Sequence, residues 1–198
     1  LSRLQSTAEL IESHETFQSM GLHDKIVTEL AKMGASVPFP IQEATIPAAM
    51  SGRDILGRGK TGSGKTIAFG APLISKLAHI GSVPRIPGTP RALVLAPTRE
   101  LADQINRTIA PIAKSVGFFT ATVYGGVPQR KQEIALNRGV DVVIATPGRL
   151  EDLIKQRIIT LEAVDTVIVD EADHMSELGF IEPLRRILDQ CEGSQKLL

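Results

Sequence analysis

Short apolar runs alternate with longer amphipathic stretches along most of the chain, and this alternation limits the possible folds more than any other feature. Five runs are rich in Val, Ile and Thr and nearly continuous in hydrophobicity, as buried parallel strands are: residues 54–57, 92–97, 119–124, 141–147 and 165–171. Helical spacing of apolar residues marks the other stretches: about 22–33, 42–50, the stretch with Phe69, Leu73 and Leu77, that with Leu101, Ile105, Ile109 and Ile112, 127–137, and that with Leu150, Leu153 and Ile154. The pattern predicts a three-layer α/β/α domain with a mainly parallel sheet.

The chain is long enough for one ordinary domain with a sizeable core. It has 198 residues, of which 42% are hydrophobic, and it contains no repeat and no low-complexity tract. We therefore expect a single domain over residues 1–198. Within it, residues 81–90 carry three prolines and two glycines and predict an exposed, mobile loop. Because the chain starts at Leu1 rather than at Met, we expect a fragment of a longer protein.

The bulk charge excludes a strong overall attraction for polyanions, since the formal net charge is zero. Locally, residues 91–157 hold ten Lys and Arg against six Asp and Glu, and residues 158–198 hold three against nine. Such a division is typical of an anion groove beside a cation site, although an uneven scatter of solvated charges fits the counts almost as well.

A single cysteine, Cys191, excludes a disulfide framework within the chain and a multi-cysteine zinc site. We expect Cys191 to pack in the core and the protein to be cytoplasmic. No apolar run approaches the ~18 residues of a membrane-spanning helix, so no membrane partner is expected. A monomer is the expected state.

The stretch "GRGKTGSGKT", residues 57–66, contains the spacing G-x-x-x-x-G-K-T from Gly59 to Thr66. It follows a predicted strand and opens a predicted helix, which is the setting of a phosphate-binding loop. The backbone N–H groups of Thr61, Gly62, Ser63 and Gly64 are expected to surround phosphate oxygens. Lys65 would reach the β- and γ-phosphates, and the Thr66 hydroxyl would ligate Mg²⁺. A flexible turn with a chance Lys-Thr at its end is the alternative.

The stretch "VIVDEAD", residues 167–173, places carboxylates at the carboxyl end of a predicted strand. Ligands bind at that edge in open α/β sheets. Asp170 is expected to hold Mg²⁺ from the side opposite Thr66, and Glu171 to orient and deprotonate a water. The alternative is that both residues only cap a helix N-terminus.

These motifs resemble those of the DEAD-box RNA helicases, whose signature is spelled by Asp170-Glu171-Ala172-Asp173. The family's other motifs follow in order: "GASVPFPIQ" (34–42) resembles the Q motif with Phe17 at its upstream aromatic position, "GKTGSGKT" (59–66) motif I, "PTREL" (97–101) motif Ia, Gly125-Gly126 with Gln132 the paired-glycine element, and "TPGR" (146–149) motif Ib. The resemblance covers roughly Phe17 to the end of the chain.

The resemblance implies a RecA-like P-loop domain, the N-terminal half of an ATP-dependent RNA helicase core, with ATP and Mg²⁺ as cofactors. By the same resemblance Gln42 reads the adenine edge and Phe17 packs over the base; on the residues alone, a capping amide and a core aromatic remain open. The resemblance also implies that Lys65, Asp170 and Glu171 are the catalytic residues. In the family the equivalent of Asp173 couples to a Ser-Ala-Thr motif, which we expect beyond Leu198, ahead of a second RecA-like domain.

The RNA contacts that the resemblance implies all follow predicted strands: Pro97, Thr98 and Arg99, then Gly125 and Gly126, then Thr146, Pro147, Gly148 and Arg149. Backbone N–H groups, threonine hydroxyls and arginines contact phosphate and 2′-OH groups rather than bases, so we expect sequence-independent RNA binding. Ordinary strand-to-helix turns are the alternative, because Thr, Pro and Gly are common there.

Three positions depart from the family pattern: Ala35 stands for a usual aromatic, Phe39 for a usual threonine and Gly59 for a usual alanine. None is expected to touch the phosphates or the metal, so we expect modest effects. The expected activity is RNA-stimulated ATP hydrolysis coupled to local strand separation, with the second domain required. A DNA-translocating helicase and a nucleic-acid-binding module without ATPase activity are the two alternatives.

Overall fold

The computed structural model describes residues 15–57, 64–81 and 83–198. In this part of the chain, strands β1 to β5 span Ala92–Leu95, Thr120–Val123, Val142–Ala145, Thr166–Val169 and Gln195–Leu197. Helices α1 to α8 span Asp24–Lys32, Pro40–Met50, Lys65–Ile80, Arg99–Ser115, Gln129–Asn137, Pro147–Lys155, Ala172–Glu177 and Ile181–Asp189. The four predicted runs that form β1 to β4 extend beyond the observed strands, mostly at their carboxyl ends, where the residues of the predicted site follow.

The strands form one sheet in the order β2-β3-β1-β4-β5, and every neighbouring pair is parallel. The central strand β1 pairs with β3 on one side and with β4 on the other, through Leu95 opposite Ala145 and Val169. Strands that lie parallel end at the same edge, so the residues that follow β1, β2, β3 and β4 meet there. The predicted parallel α/β sheet is confirmed.

Alternate residues of the central strands face two separate apolar cores, which explains why these strands lack polar alternation. Ala92 and Val94 of β1 pack with apolar residues of α1, α2, α3 and α4. Leu93 and Leu95 pack on the opposite face with apolar residues of α5, α6, α7 and α8. Helices therefore cover both faces of the sheet, and the predicted three-layer architecture is confirmed.

The predicted strand at 54–57 is wrong as a strand. Ile55 forms only an isolated parallel bridge with Leu197, although its N–H donates to the Lys196 carbonyl at 2.9 Å and Gly57 N–H donates to the Leu198 carbonyl at 2.8 Å. The segment pairs with β5 alone and over a few residues, because it lies at the outer edge of the described sheet. It nevertheless carries the chain to the start of the glycine-rich stretch.

The segment 81–90 is irregular, as predicted, but it is anchored at several points rather than loosely held. Arg85 forms an ion pair with the buried Asp141, Nε to Oδ2 at 2.8 Å, and its guanidinium lies 4.5 Å from the centre of the Phe119 ring. Gly88 N–H donates to the Leu136 carbonyl at 3.0 Å, and its own carbonyl accepts from Thr160 N–H at 2.8 Å. These contacts fix the loop against the amino end of the sheet, away from the site.

Helix α6, which begins with the "TPGR" motif, is held against α8 by an ion pair. Arg186 donates from Nε and Nη2 to the two carboxylate oxygens of Glu151, each at 2.8 Å. The hydrogen bond from Arg186 holds the pKa of the Glu151 carboxyl below its ordinary value.

Cys191 is buried beside α8, as expected, and burial raises the pKa of its thiol. Among the described helices none is long and apolar enough to span a bilayer.

Candidate functional site

Nearly all the predicted site residues in the described part of the chain lie along the carboxyl edge of the sheet. Across that edge, in the order of the strands, come residues 125–126 after β2, 146–149 after β3, 97–99 after β1 and 170–173 after β4. Helix α3 begins at Lys65 beside Asp170. After the roles predicted from the sequence, we call Lys65, Thr66 and residues 170–173 the nucleotide half of this edge. We call residues 97–99, 125–126 and 146–149 its RNA half.

Lys65 and Asp170 form an ion pair at the centre of the nucleotide half. Lys65 Nζ lies 2.7 Å from Asp170 Oδ1, and both side chains are mostly covered, with exposed fractions of 25% and 11%. Lys65 is the first residue of α3, and Asp170 directly follows β4, so secondary structure fixes both. Residues 58–63, and with them Gly59, Thr61, Gly62 and Ser63, lie outside the described residues, so their predicted roles stay predictions.

Gly64 connects the phosphate-loop motif to the Q motif. It precedes α3 with φ +82°, a conformation that favours glycine. A Cβ at this position would clash with the Gln42 amide nitrogen and would lie 2.9 Å from Phe39 Cδ2. The Gln42 side chain donates from Nε2 to the Gly64 carbonyl at 3.2 Å and accepts at Oε1 from Phe39 N–H at 2.8 Å. Gln42 therefore ties the start of α2 to the start of α3.

The two residues expected to recognise the base are both covered. Gln42 is 1% exposed, and its amide acts as the capping group that was the alternative on sequence grounds. Phe17 is 2% exposed within the core that packs α1 to α4 against the sheet, as the other alternative had it. Contact of either side chain with adenine stays a prediction, and it requires the local packing to open.

Glu171 has a left-handed backbone, with φ 50° and ψ 54°. For a residue with a Cβ this conformation costs ~1–2 kcal/mol, and such strain is concentrated at functional sites. Asp170 Oδ1 accepts from Glu171 N–H at 3.0 Å, and Glu171 Oε2 lies 3.3 Å from His174 Nδ1. The Glu171 carboxylate does not cap α7, so capping does not explain this residue.

Cavities lie on both sides of the ion pair. One of about 650 Å³ is lined by Lys65, Asp170, Glu171, Asp173 and His174, and it also reaches Leu56 and Leu198. A second, of about 240 Å³, is lined by Gly64, Lys65, Thr66, Asp170 and Glu171 together with residues of α4. The larger volume lies in the usual range for small-molecule sites. Asp173 is exposed in the first turn of α7, so it has room for a further partner.

The residues at this edge fit Mg²⁺ held together with a polyphosphate. Thr66 and Asp170 offer a hydroxyl and a carboxylate oxygen, which are ligands that Mg²⁺ prefers. Within the described residues no three His, Cys, Asp or Glu side chains form a closed metal site. An open site suits Mg²⁺, because it keeps several waters and takes the remaining ligands from substrate phosphates.

On the RNA half, neutral groups hold the two predicted arginines. Arg99, exposed at the start of α4, lies with Cζ 5.3 Å from the centre of the Tyr124 ring. Arg149 donates from Nη1 to Gln132 Oε1 at 3.1 Å and from Nη2 to the Val127 carbonyl at 3.3 Å. In the described part of the chain neither arginine forms an ion pair. Their charge is therefore oriented but uncompensated.

The threonines, prolines and glycines of the RNA half have different surroundings. Thr98 caps α4, with Oγ1 accepting from Leu101 N–H at 3.2 Å, whereas the Thr146 side chain makes no capping bond. Gly125, Gly126 and Gly148 are exposed. The two prolines, Pro97 and Pro147, are buried. Pro147 sets the first turn of α6, and contact of the two covered prolines with RNA stays a prediction.

Tyr124 is a residue of the site that the sequence motifs did not single out. Its hydroxyl donates to Asp103 Oδ1 at 2.8 Å, and its carbonyl accepts from Gln132 Nε2 at 2.8 Å. Because Gln132 also accepts from Arg149, this one tyrosine links the supports of both arginines. The sequence did contain a signal for this residue. Tyr124 is the chain's one tyrosine, and it directly follows β2, just as the predicted RNA-contact residues directly follow strands.

A family model described as "DEAD/DEAH box helicase" matches residues 39–198. Among curated proteins, the chain is 47% identical over 182 residues to "DEAD-box ATP-dependent RNA helicase 3B, chloroplastic" of Zea mays, covering 90% of this chain and 24% of that protein. It is 48% identical over 179 residues to the 3A protein of the same plant, covering 89% and 24%. The chain thus spans about a quarter of the length of these relatives.

Solved structures of DEAD-box proteins match this chain as well. The RNA helicase Prp28 from Chaetomium thermophilum bound to ADP matches with a TM-score of 0.83 and 39% identity, over 93% of this chain and 44% of that one. A DEAD box protein from Methanococcus jannaschii matches with a TM-score of 0.82 and 33% identity, over 92% and 49%. In both cases this chain corresponds to somewhat less than half of the solved protein.

Proposed function

Because this chain belongs to the DEAD/DEAH box helicase family, we propose that it is the ATP- and RNA-binding half of an ATP-dependent RNA helicase. Together with a second RecA-like domain it hydrolyses ATP and locally separates RNA strands. The observation that carries this function is the meeting of Lys65 and Asp170 at 2.7 Å, on the same edge of the sheet as Thr66 and Glu171. The relatives named as RNA helicases support the choice of RNA.

Binding of a nucleoside triphosphate begins with an exchange of partners. Lys65 leaves the carboxylate of Asp170 and donates to phosphate oxygens, which carry more negative charge and draw a cation more strongly. Asp170 is then free to hold Mg²⁺ with Thr66. The metal supplies neutralisation of the charge that develops on the phosphates during transfer. In this proposal, both charges of the resting ion pair would therefore gain a new partner: phosphate for Lys65 and Mg²⁺ for Asp170.

In this proposal Glu171 acts as the general base. Its carboxylate borders both cavities, and its N–H is held by the Asp170 side chain, so the two acidic residues keep a fixed relation. A carboxylate within reach of a water can orient it and accept its proton as the water attacks phosphorus. The Glu171 side chain makes no capping bond to α7, and the residue lines both cavities.

RNA binds along the other half through its backbone. Arg99 and Arg149 supply charge, and the exposed glycines let backbone N–H groups approach phosphates closely. Helices α4 and α6 begin at this half, so their amino ends add positive potential. None of these groups is arranged to read a base edge, which favours sequence-independent binding.

Hydrolysis needs the second domain. Arginine fingers that stabilise the transferring phosphoryl group raise rates by ~10³–10⁵. The two arginines of the site motifs in the described part of the chain, Arg99 and Arg149, are held on the RNA half. We therefore expect the 198-residue chain alone to bind nucleotide but to hydrolyse ATP and unwind RNA negligibly. A robust RNA-stimulated turnover by this chain alone, lost in Glu171→Gln, would show that the second domain is not needed.

The direct test is an ADP titration by calorimetry, in Mg²⁺, on the 198-residue chain. Lys65→Ala is expected to weaken ADP binding at least ~10-fold, because a charge-assisted contact to phosphate is lost. Lys32→Ala, on exposed α1, is the matched control and should bind ADP normally. Equal ADP affinity in Lys65→Ala and Lys32→Ala would contradict the assignment of the phosphate site.

The ADP titration, with parallel titrations of RNA and single-stranded DNA, separates the alternatives. A nucleic-acid-binding module without ATPase activity would bind RNA yet show no heat with ADP. A DNA-translocating helicase would bind single-stranded DNA as tightly as RNA, whereas contacts to 2′-OH groups favour RNA. The monomeric state and the cytoplasmic location stay predictions, which sedimentation and imaging of the tagged full-length protein would check.

A further inference from the structure

We propose that Phe39 supplies the aromatic surface on which the base of the bound nucleotide lies. The inference rests on the proposed function, since it requires a nucleoside di- or triphosphate at Lys65. It adds an affinity-determining residue to that site. It also assigns a use to a position at which the sequence departs from the family pattern.

The two side chains expected to contact the base present almost no solvent-exposed surface. Phe17 is 2% exposed and belongs to the core, and Gln42 is 1% exposed. Both ends of the Gln42 amide are bonded to backbone, Nε2 to the Gly64 carbonyl and Oε1 to Phe39 N–H. In this resting conformation a base therefore meets neither an exposed aromatic face nor an exposed amide at these two residues.

Phe39 does present such a face beside the phosphate-binding segment. It is 53% exposed, which is unusual for a phenylalanine. Its ring lies so close to Gly64 that a Cβ there would be 2.9 Å from Cδ2. Gly64 directly precedes Lys65, whose side chain is the predicted phosphate ligand. In space, the exposed ring thus lies beside Gly64, the residue directly before the one that would hold the phosphates.

The backbone under the ring is fixed in place. Phe39 is the N-cap of α2, and its N–H is held by Gln42, which in turn holds Gly64. Gln42 therefore sets the position of the ring relative to the start of α3, and the platform is preorganised rather than flexible. A preorganised aromatic surface loses little conformational entropy when a ligand covers it.

Stacking on Phe39 adds affinity without reading the base. Every base has a π-face, so an aromatic ring attracts adenine and guanine alike. Phe39 should therefore strengthen the binding of ADP and GDP by a similar factor. Any preference for adenine must come from another group. Gln42 is the candidate, because its amide still has one N–H and one lone pair beyond the bonds described.

The first experiment compares three ligands on the 198-residue chain by calorimetry: ADP, GDP and inorganic pyrophosphate. Phe39→Ala is expected to weaken ADP and GDP about tenfold, within the range for loss of base–aromatic stacking, and to leave pyrophosphate unchanged. A merely structural role would weaken pyrophosphate as well, since Gly64 and Lys65 would shift. Phe39→Tyr should restore both nucleotides. Val37→Ala, a neighbour that is 67% exposed, is the matched control and should change nothing.

The second experiment uses the absence of tryptophan from this chain. Phe39→Trp introduces a single fluorophore, and a stacked adenine is expected to quench it as ADP saturates the site. Phe119→Trp, at a residue that is 57% exposed beside the anchored loop, should not respond. Quenching in Phe39→Trp alone, with the affinities above, would establish the proposal.

The outcomes separate this inference from the proposed function. If the unsubstituted chain binds neither ADP nor pyrophosphate, the proposed function fails and this inference fails with it. If ADP binds, but with equal affinity in Phe39→Ala and no quenching in Phe39→Trp, only the role of Phe39 is overturned. Loss of pyrophosphate binding in Phe39→Ala would likewise overturn it, by making Phe39 a support of the loop.

Discussion

The two halves of the sheet edge hold their charges in opposite ways. On the nucleotide half, Lys65 is neutralised by Asp170 at 2.7 Å, and a ligand must separate this pair before it binds. On the RNA half, Arg99 rests over the Tyr124 ring and Arg149 is held by the Gln132 amide, so their positive charge faces no described carboxylate. The charge of Lys65 is thus neutralised within the protein, whereas the charges of the two arginines are held in place without a carboxylate partner.

This difference suits the two proposed ligands. In the proposed function a nucleotide brings Mg²⁺ with it, so both charges of the resting ion pair would find new partners, and the exchange would be specific to a metal-bound polyphosphate. RNA brings only phosphates and releases counterions when it binds, so cations without carboxylate partners gain most from it. Neutral partners hold the arginine side chains in position without neutralising them, so the favourable free energy of pairing with RNA phosphates is retained.

The largest expected effect tests the nucleotide half alone. In a longer protein that contains this chain and a second RecA-like domain, Glu171→Gln should lower ATP turnover ~10²–10⁴-fold, because the amide cannot accept a proton from water. ADP affinity and RNA affinity should stay within about twofold, since neither the Lys65–Asp170 pair nor the arginines change. A steady-state ATPase assay with parallel titrations measures all three. Normal turnover in Glu171→Gln would remove Glu171 as the base.

A smaller effect tests the RNA half. Arg149→Ala and Arg99→Ala should each weaken binding of single-stranded RNA about tenfold, because each removes a charge-assisted phosphate contact. Each should also reduce the log–log salt slope by about 0.7, the value for one phosphate on a single strand. ADP binding should not change, which would sharpen the division between the two halves.

Arg185→Ala is the matched control for these arginines. Arg185 lies on α8, is 66% exposed and has only a long ion pair, 3.7 Å, with Glu182. Fluorescence anisotropy of a labelled RNA at several salt concentrations gives affinity and slope together. A salt slope for Arg149→Ala equal to that of Arg185→Ala would mean that Arg149 does not neutralise an RNA phosphate.

The smallest expected effect concerns backbone strain. Glu171 and Arg157 are the described non-glycine residues with positive φ, at 50° and 59°. Glycine relieves the ~1 kcal/mol cost of that conformation, so Glu171→Gly and Arg157→Gly should each raise Tm by about 2–4 °C. Only Glu171→Gly should abolish turnover in the two-domain protein. A fall in Tm for Glu171→Gly with a rise for Arg157→Gly would show that Glu171 is held by contacts rather than strained.

The sequence was sufficient for the layers of the fold and for the grouping of the site. Lys65 and Asp170 are far apart in the chain, yet one opens a helix after a glycine-rich stretch and the other ends a buried strand. Parallel packing brings both to one edge. The predicted parallel sheet thus places both residues at one edge, and the 2.7 Å ion pair agrees with that.

What the sequence could not provide depends on contacts between distant segments. Gln42 bonds to Gly64 across the start of two helices, and Phe17 is covered by the packing of α1 to α4, neither of which leaves a local signal. The strand predicted at 54–57 has the right composition but only one described neighbour, so it shortened to a bridge. The burial of Pro97 and Pro147 likewise follows from how the helices sit on the sheet.

The place of β1 at the centre of the sheet has a consequence for biosynthesis. All four of its residues are buried, and both of its neighbours, β3 and β4, are made after it. At ordinary elongation speeds, the ribosome needs on the order of ten seconds to proceed from Leu95 to Val169. During that interval the nascent chain carries a wholly apolar strand with an open edge, which makes it a substrate for chaperones that hold unfinished polypeptides. The domain therefore completes its fold only when most of it has left the exit tunnel.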